Sequence, residues 1–200
     1  ECQEKKYVEE KYKSSELKSR IQNAKNNPKP GEINLNKKYC DMSNFNGKLW
    51  ISGNVEKGKK TKEWNYNYSS GIVRLKEFYT NGKQNGLSYD YERNGLVSGI
   101  RNYSNDTING LSEGYQNGKL KSVFSYVKGK QNGPYKILYP NGSLNTEGYF
   151  VDGNQSFEKI THRQNGKISS YDKYTDDEAT YTETYNLKGE KENVIDYKNK

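Results

Sequence analysis

Aliphatic residues recur along the chain at Leu49, Val73, Val97, Leu120, Leu144 and Ile168, separated by 24, 24, 23, 24 and 24 positions. Each stands two places after a glycine (Gly47, Gly71, Gly95, Gly118, Gly142 or Gly166), usually preceded by Asn; Gly189 continues the series, but Lys191 takes the aliphatic place. Between these glycines runs a second set of turn positions at Gly58, Gly82, Asp106, Gly129, Gly153 and Asp177. A fixed period of this kind marks a repeat architecture. Asn-Gly accepts the positive φ angles of a tight hairpin turn and Asp partly stands in for Gly, so each half-period of 11 to 13 residues reads as one strand and one reversal. Removing about four turn residues predicts strands of roughly seven residues, about 23 Å long.

Three places ahead of the turns stand Tyr68, Tyr79, Tyr103, Tyr115, Tyr126, Tyr139, Phe150 and Tyr174, with Val55, Glu92 and Arg163 at the remaining offsets. Side chains alternate across a strand, so a ring fixed at one offset stacks against its neighbours on one face. That ladder of rings is the expected core. The fold class expected is all-β: an elongated, single-layer antiparallel meander of about a dozen strands in six or so hairpin repeats.

Composition narrows the picture. Val, Ile, Leu and Phe total 34 of 200 residues and the mean hydropathy is -1.25, values that alone point to disorder. The 19 Tyr reverse that reading, because Tyr buries a large ring while its hydroxyl stays wet. Two Ala against 19 Gly disfavour helix. No run approaches the roughly 18 to 20 apolar residues of a membrane-spanning helix. Residues 1–32 differ from the rest: Glu and Lys interleave, Leu17, Ile21 and Ala24 give one weak helical stripe, and Pro28 and Pro30 stop it. The expected organisation is thus a charged N-terminal helix or tail over 1–32, then a repeat domain over 33–200. Cys2 and Cys40 are the only cysteines and fit a disulfide or two free thiols. The chain begins at Glu1, which fits a processed or trimmed chain and leaves export open; a secreted or cell-surface location is the expectation, with the cytoplasm as the alternative.

The run Tyr-Gln-Asn-Gly-Lys-Leu at 115–120, Tyr-Val-Lys-Gly-Lys-Gln-Asn-Gly at 126–133 and Tyr-Pro-Asn-Gly-Ser-Leu at 139–144 resembles the bacterial variant of the MORN repeat, over about residues 45–170. That resemblance implies a non-enzymatic binding or scaffolding protein. Exported members from host-associated bacteria are found alongside surface adhesins, which implies a role in adhesion or virulence support. Another branch is described as antitoxins, which implies an intracellular partner protein, and MORN repeats generally are linked to lipid headgroups.

Candidate chemistry is sparse. Gly110-Leu111-Ser112-Glu113-Gly114 matches the G-x-S-x-G pattern of hydrolase nucleophile elbows, yet Gly86-Leu87-Ser88 stands one period earlier, so Ser112 is expected at an ordinary strand position. His162 is read as a surface imidazole, and Asp176, Asp177 and Glu178 as solvated turn carboxylates. No cofactor, metal site or phosphate loop is expected. Net charge is +8, with residues 33–170 carrying +9 and the last thirty carrying -3. Lys119, Lys121, Lys128 and Lys130, around two neighbouring turns, form the candidate basic surface for a protein or glycan partner, or an anionic membrane surface. Nucleic acid is not expected, because the rings that would stack on bases are assigned to the core.

Overall fold

The computed structural model describes residues 39–43 and 49–199. The segment expected to be helical, together with Cys2 and Gly47, lies outside them, so the pairing of Cys2 with Cys40 does too. The described residues are almost wholly β and fall into two compact units that meet in sequence at Leu96 and Val97. The first unit carries β1 (Tyr39–Ser43), β2 (Leu49–Glu56), β3 (Lys59–Asn67), β4 (Val73–Thr80), the two-residue β5 (Lys83–Gln84) and β6 (Gly86–Tyr91), ordered β1-β2-β3-β4-β6 with β5 beside β4. The second carries β7 (Val97–Ser104), β8 (Thr107–Gln116), β9 (Lys119–Val127), β10 (Lys130–Leu138), β11 (Leu144–Val151), β12 (Asn154–His162), β13 (Ile168–Thr175), β14 (Glu178–Tyr185) and β15 (Lys191–Asp196), in that order, and ends in a 3₁₀ turn at Tyr197–Asn199. Within each unit neighbouring strands are antiparallel, as a hairpin meander requires.

Most strands run eight to ten residues rather than about seven. The reason is turn economy. Lys57-Gly58, Asn81-Gly82, Asn105-Asp106, Lys128-Gly129, Asp152-Gly153 and Asp176-Asp177 each place two consecutive residues at positive φ, the two-residue primed turn whose twist matches the flanking strands. Four of these turns are tied to the hairpin before them: the backbone N–H groups of Gly82, Gly129, Gly153 and Asp177 donate to the carbonyls of Lys60, Ile108, Gln131 and Gln155 at 2.8 to 3.0 Å. Asp177 stands where other repeats have Gly, and its carboxylate also accepts the Gln155 N–H at 2.5 Å.

The opposite strand ends mostly use another loop, the exception being Asn117-Gly118 between β8 and β9, a primed turn with both residues at positive φ. At Gly71, Gly95, Gly142, Gly166 and Gly189 only the glycine has positive φ, and its N–H donates three residues back, to the carbonyl of Tyr68, Glu92, Tyr139, Arg163 or Asn186. This is a type I turn followed by a glycine bulge. The Asn before glycine therefore serves through its side chain: Asn94, Asn141 and Asn165 Oδ1 accept the N–H two residues on. At these loops Tyr68 and Tyr139 donate their hydroxyls to the carbonyls of Tyr91 and His162, and Arg163 donates to that of Tyr185, so each reaches across to the next repeat.

The core sits in mid-strand. Among the described residues the buried hydrophobic side chains are Trp64, Tyr135 and Ile51. Trp64 faces Gly53 across β2 and β3, and Tyr135 faces Gly148 across β10 and β11. In both pairs the ring lies over the glycine: a Cβ on Gly53 would come within 2.2 Å of the indole, and one on Gly148 within 2.8 Å of the phenol ring. Phe124 stacks on Tyr135 at 5.4 Å and Phe150 leans on it at 4.9 Å, while Tyr66 and Tyr79 pack about Trp64 at 6.5 and 6.3 Å. The expected ladder of turn-proximal rings is present but half-buried throughout, since rings near strand ends meet water. Its members Tyr79 and Phe150 pack directly against Trp64 and Tyr135, but the buried rings at the centre are not ladder rings. The polar ends of the central rings are satisfied, with Trp64 Nε1 donating to the Asn54 carbonyl and the Tyr135 hydroxyl to Gln155 Oε1.

Gly53→Ala and Gly148→Ala should each destabilise by about 1 to 3 kcal/mol, because a methyl group displaces a packed ring. Gly114→Ala should cost less, since the atom it meets is the rotatable Ser122 Oγ. Urea denaturation of the three variants checks the ranking.

Candidate binding surface

The four candidate lysines do not form one cluster. Lys119 and Lys121 open β9, whereas Lys128 lies in the turn at its far end and Lys130 opens β10, so Lys121 and Lys128 stand seven positions apart along the strand, roughly 23 Å. Successive hairpin turns lie at opposite strand ends, which adjacency in sequence conceals. All four side chains are exposed, and none has a carboxylate partner among the described residues. Lys119 and Lys121 border a groove of about 240 Å³ whose apolar wall is Leu120, Leu138, Tyr139 and Pro140.

Ser112 lies in mid-strand, opposite Arg101 on one side and Phe124 on the other, and β8 continues through it to Gln116. Both glycines of its motif have structural causes: Gly110 has φ 108° at a bulge, and Gly114 faces Ser122. His162 is not the surface imidazole expected: its Nε2 is buried and lies 3.4 Å from Glu147 Oε1 without the alignment of a hydrogen bond. Asp176 and Asp177 form a turn and Glu178 begins β14. No group of three metal-binding side chains occurs among the described residues.

A third periodic feature escaped the sequence reading. Lys62, Gly86, Gly110, Gly133 and Phe157, spaced 24, 24, 23 and 24, all have positive φ. Around four of them, on β3, β8, β10 and β12, two extra residues bulge against the preceding strand. Lys62, Gly110, Gly133 and Phe157 each pair with a ladder ring: Tyr79, Tyr126, Phe150 and Tyr174. The glycine spacing 86, 110, 133 was the available signal. Phe157 departs from it, an aromatic at φ 60° with 63% of its surface exposed. Its ring meets Tyr149 edge-on at 5.6 Å, above an open cleft of about 710 Å³ that also touches Pro134, Ile160, Lys136, Glu147 and Lys173.

Tyrosine–carboxylate pairs surround this region. Tyr171 donates to Glu158 at 2.5 Å; Tyr181, Tyr185 and Lys191 all donate to Glu183. Lys191, then Tyr181 and Tyr185, hold the Glu183 carboxyl down at about 2. The Tyr171 phenol is pushed up to about 12, first by its bond to Glu158, and Tyr135 to about 12, first by burial.

No protein-family model matches the chain, and no curated protein matches it. Among solved structures it is similar to the crystal structure of accessory secretory protein 1, 2 and 3 in Streptococcus pneumoniae at 10% identity and a TM-score of 0.18; the likeness covers 73% of this chain and 21% of that one and is too slight to bear on fold or function.

The tyrosines fix an alkaline limit. Their folded pKa values exceed the ordinary 10, so the fold's preference for the neutral phenol is complete below pH 10 and is lost as pH rises through about 12. Melting temperature should hold to about pH 10 and fall beyond it, less steeply in Tyr135→Phe. Glu183 acts in the opposite sense: its contribution is present above 4.5 and is lost as pH falls towards about 2, which Glu183→Gln should abolish. Thermal melts across pH read both.

Proposed function

We propose that this chain is a non-enzymatic binding and scaffolding protein of the MORN-like hairpin-repeat type, exported by a host-associated bacterium and recognising anionic protein or glycan surfaces in adhesion or virulence support. The observation that carries the reading is the pair of exposed lysine sites at opposite ends of β9, without carboxylate partners among the described residues. Unneutralised lysines on a rigid sheet form a positive field that speeds encounter with anions. The groove beside Lys119 and Lys121 adds apolar contact at one of the two sites. Protein neutralisation in the cytoplasm and anionic lipid binding are the competing outcomes of the test below.

The probe is heparin, a sulfated glycan. Retention on it should fall as ionic strength rises past about 0.1 M, where exposed charges are screened beyond ~10 Å. Lys119→Glu with Lys121→Glu should remove part of the retention, Lys128→Glu with Lys130→Glu another part, and the four together nearly all, with the melting temperature unchanged because these side chains are exposed. Retention untouched by the fourfold reversal at low salt overturns the basic-surface reading, and binding only to vesicles rich in anionic lipid redirects it to membranes.

A further inference from the structure

We infer that Phe157 is the stacking platform of a saccharide subsite, in which an uncharged sugar ring lies on the exposed phenyl within the cleft beside Tyr149. The inference rests on the reading of the chain as a binding protein but not on its lysines.

The first ground is the backbone. A bulky residue at positive φ is an outlier that persists where the surroundings impose it or function retains it. The fold does not require a ring at this bulge, since Gly86, Gly110 and Gly133 occupy the equivalent place and Lys62 fills it with a solvated chain. Nor does the ring serve the core: 63% of it is exposed, and its aromatic contact is the edge-on meeting with Tyr149, itself 37% exposed. The second ground is what borders the rings. Lys136, Lys173 and Lys198 stand with Glu147 and Glu158, and Thr175 and Thr180 add hydroxyls. Lys136 is already 3.7 Å from Glu147 and Lys173 Nζ lies over the Tyr171 and Tyr181 rings, and three lysines against two glutamates leave a small net charge. A rim of near-equal donors and acceptors disfavours a strong ion of either sign. It suits a ligand whose groups both donate and accept, which is the chemistry of sugar hydroxyls. The C–H face of a pyranose carries the slight positive charge that the negative face of an aromatic ring attracts. Third, a volume of about 710 Å³ falls within the size of small-ligand sites and accommodates a few sugar units.

The test titrates the full chain with linear, uncharged oligomers of glucose, of galactose and of N-acetylglucosamine at millimolar concentration, followed by NMR. At least one should shift the Phe157 and Tyr149 signals, with an affinity insensitive to ionic strength. Phe157→Gly should weaken that binding about tenfold or more while the melting temperature stays level or rises, because glycine relieves the strained backbone; Phe157→Lys, copying Lys62, should lose binding likewise. Heparin retention by the lysines should survive both substitutions. Silence from every oligomer overturns the subsite while leaving the basic-surface reading intact if heparin is still retained, and loss of heparin retention in wild type overturns that reading separately. Binding unaltered in Phe157→Gly, a melting temperature that drops with it, or a proline- or tyrosine-bearing peptide occupying the cleft where sugars do not, each overturns the saccharide assignment.

Discussion

A sheet with little aliphatic residue to spare must find its interior within its own surface, and in this chain it does so by laying a large ring flat over a glycine on the adjacent strand. Trp64 over Gly53 and Tyr135 over Gly148 are the two instances. Removing the Cβ from one strand lets the ring of the other descend onto the backbone, where it loses contact with water on one side and gathers further rings on the other. Phe124 and Phe150 close about Tyr135, and Tyr66 and Tyr79 about Trp64, so six aromatic side chains do what a second layer does in a sandwich. Each repeat depends chiefly on its neighbours in such an arrangement, which is the energetic character of repeat proteins.

The strand ends carry the rest of the order. Four of the primed turns and three of the glycine-bulge loops send a hydrogen bond to an adjacent repeat, through a backbone N–H in the first case and through Tyr68, Tyr139 or Arg163 in the second. At the bulge position packing differs from repeat to repeat: Gly133 is buried, and a Cβ on it would come within 2.9 Å of Ser125, whereas Lys62 and Phe157 are exposed. Glycine, lysine and phenylalanine all occur there. Where the bulge is open, as at Phe157, a binding side chain can be placed at small structural cost, and the exposed lysines near the turns share that freedom.

The period, the turns and the all-β class were legible in the sequence because each rests on local chemistry: positive φ selects Gly, Asn or Asp, and strand alternation fixes the offset of the rings. The location of the core was less legible. Trp64 and Tyr135 stand outside the periodic aromatic offset, and what buries them is a glycine that is distant in sequence and adjacent only once register is known. Asn before Gly was visible, but its side-chain bond in Asn94, Asn141 and Asn165 was not, because Asn-Gly serves two turn types with different roles for Asn. The lysine cluster failed for a geometric reason, since turns that neighbour in sequence sit at opposite ends of a strand. Phe157 was hidden because it breaks a glycine spacing instead of completing one.

Native-state hydrogen exchange, read strand by strand, tests the central claim most directly. If rings over glycines supply the core, amide protection should peak in two separate places, in β2 to β4 around Trp64 and in β9 to β11 around Tyr135, and decline through β14 and β15, where no such pair occurs. Protection that is uniform along the repeats, or highest in β14 and β15, would contradict it.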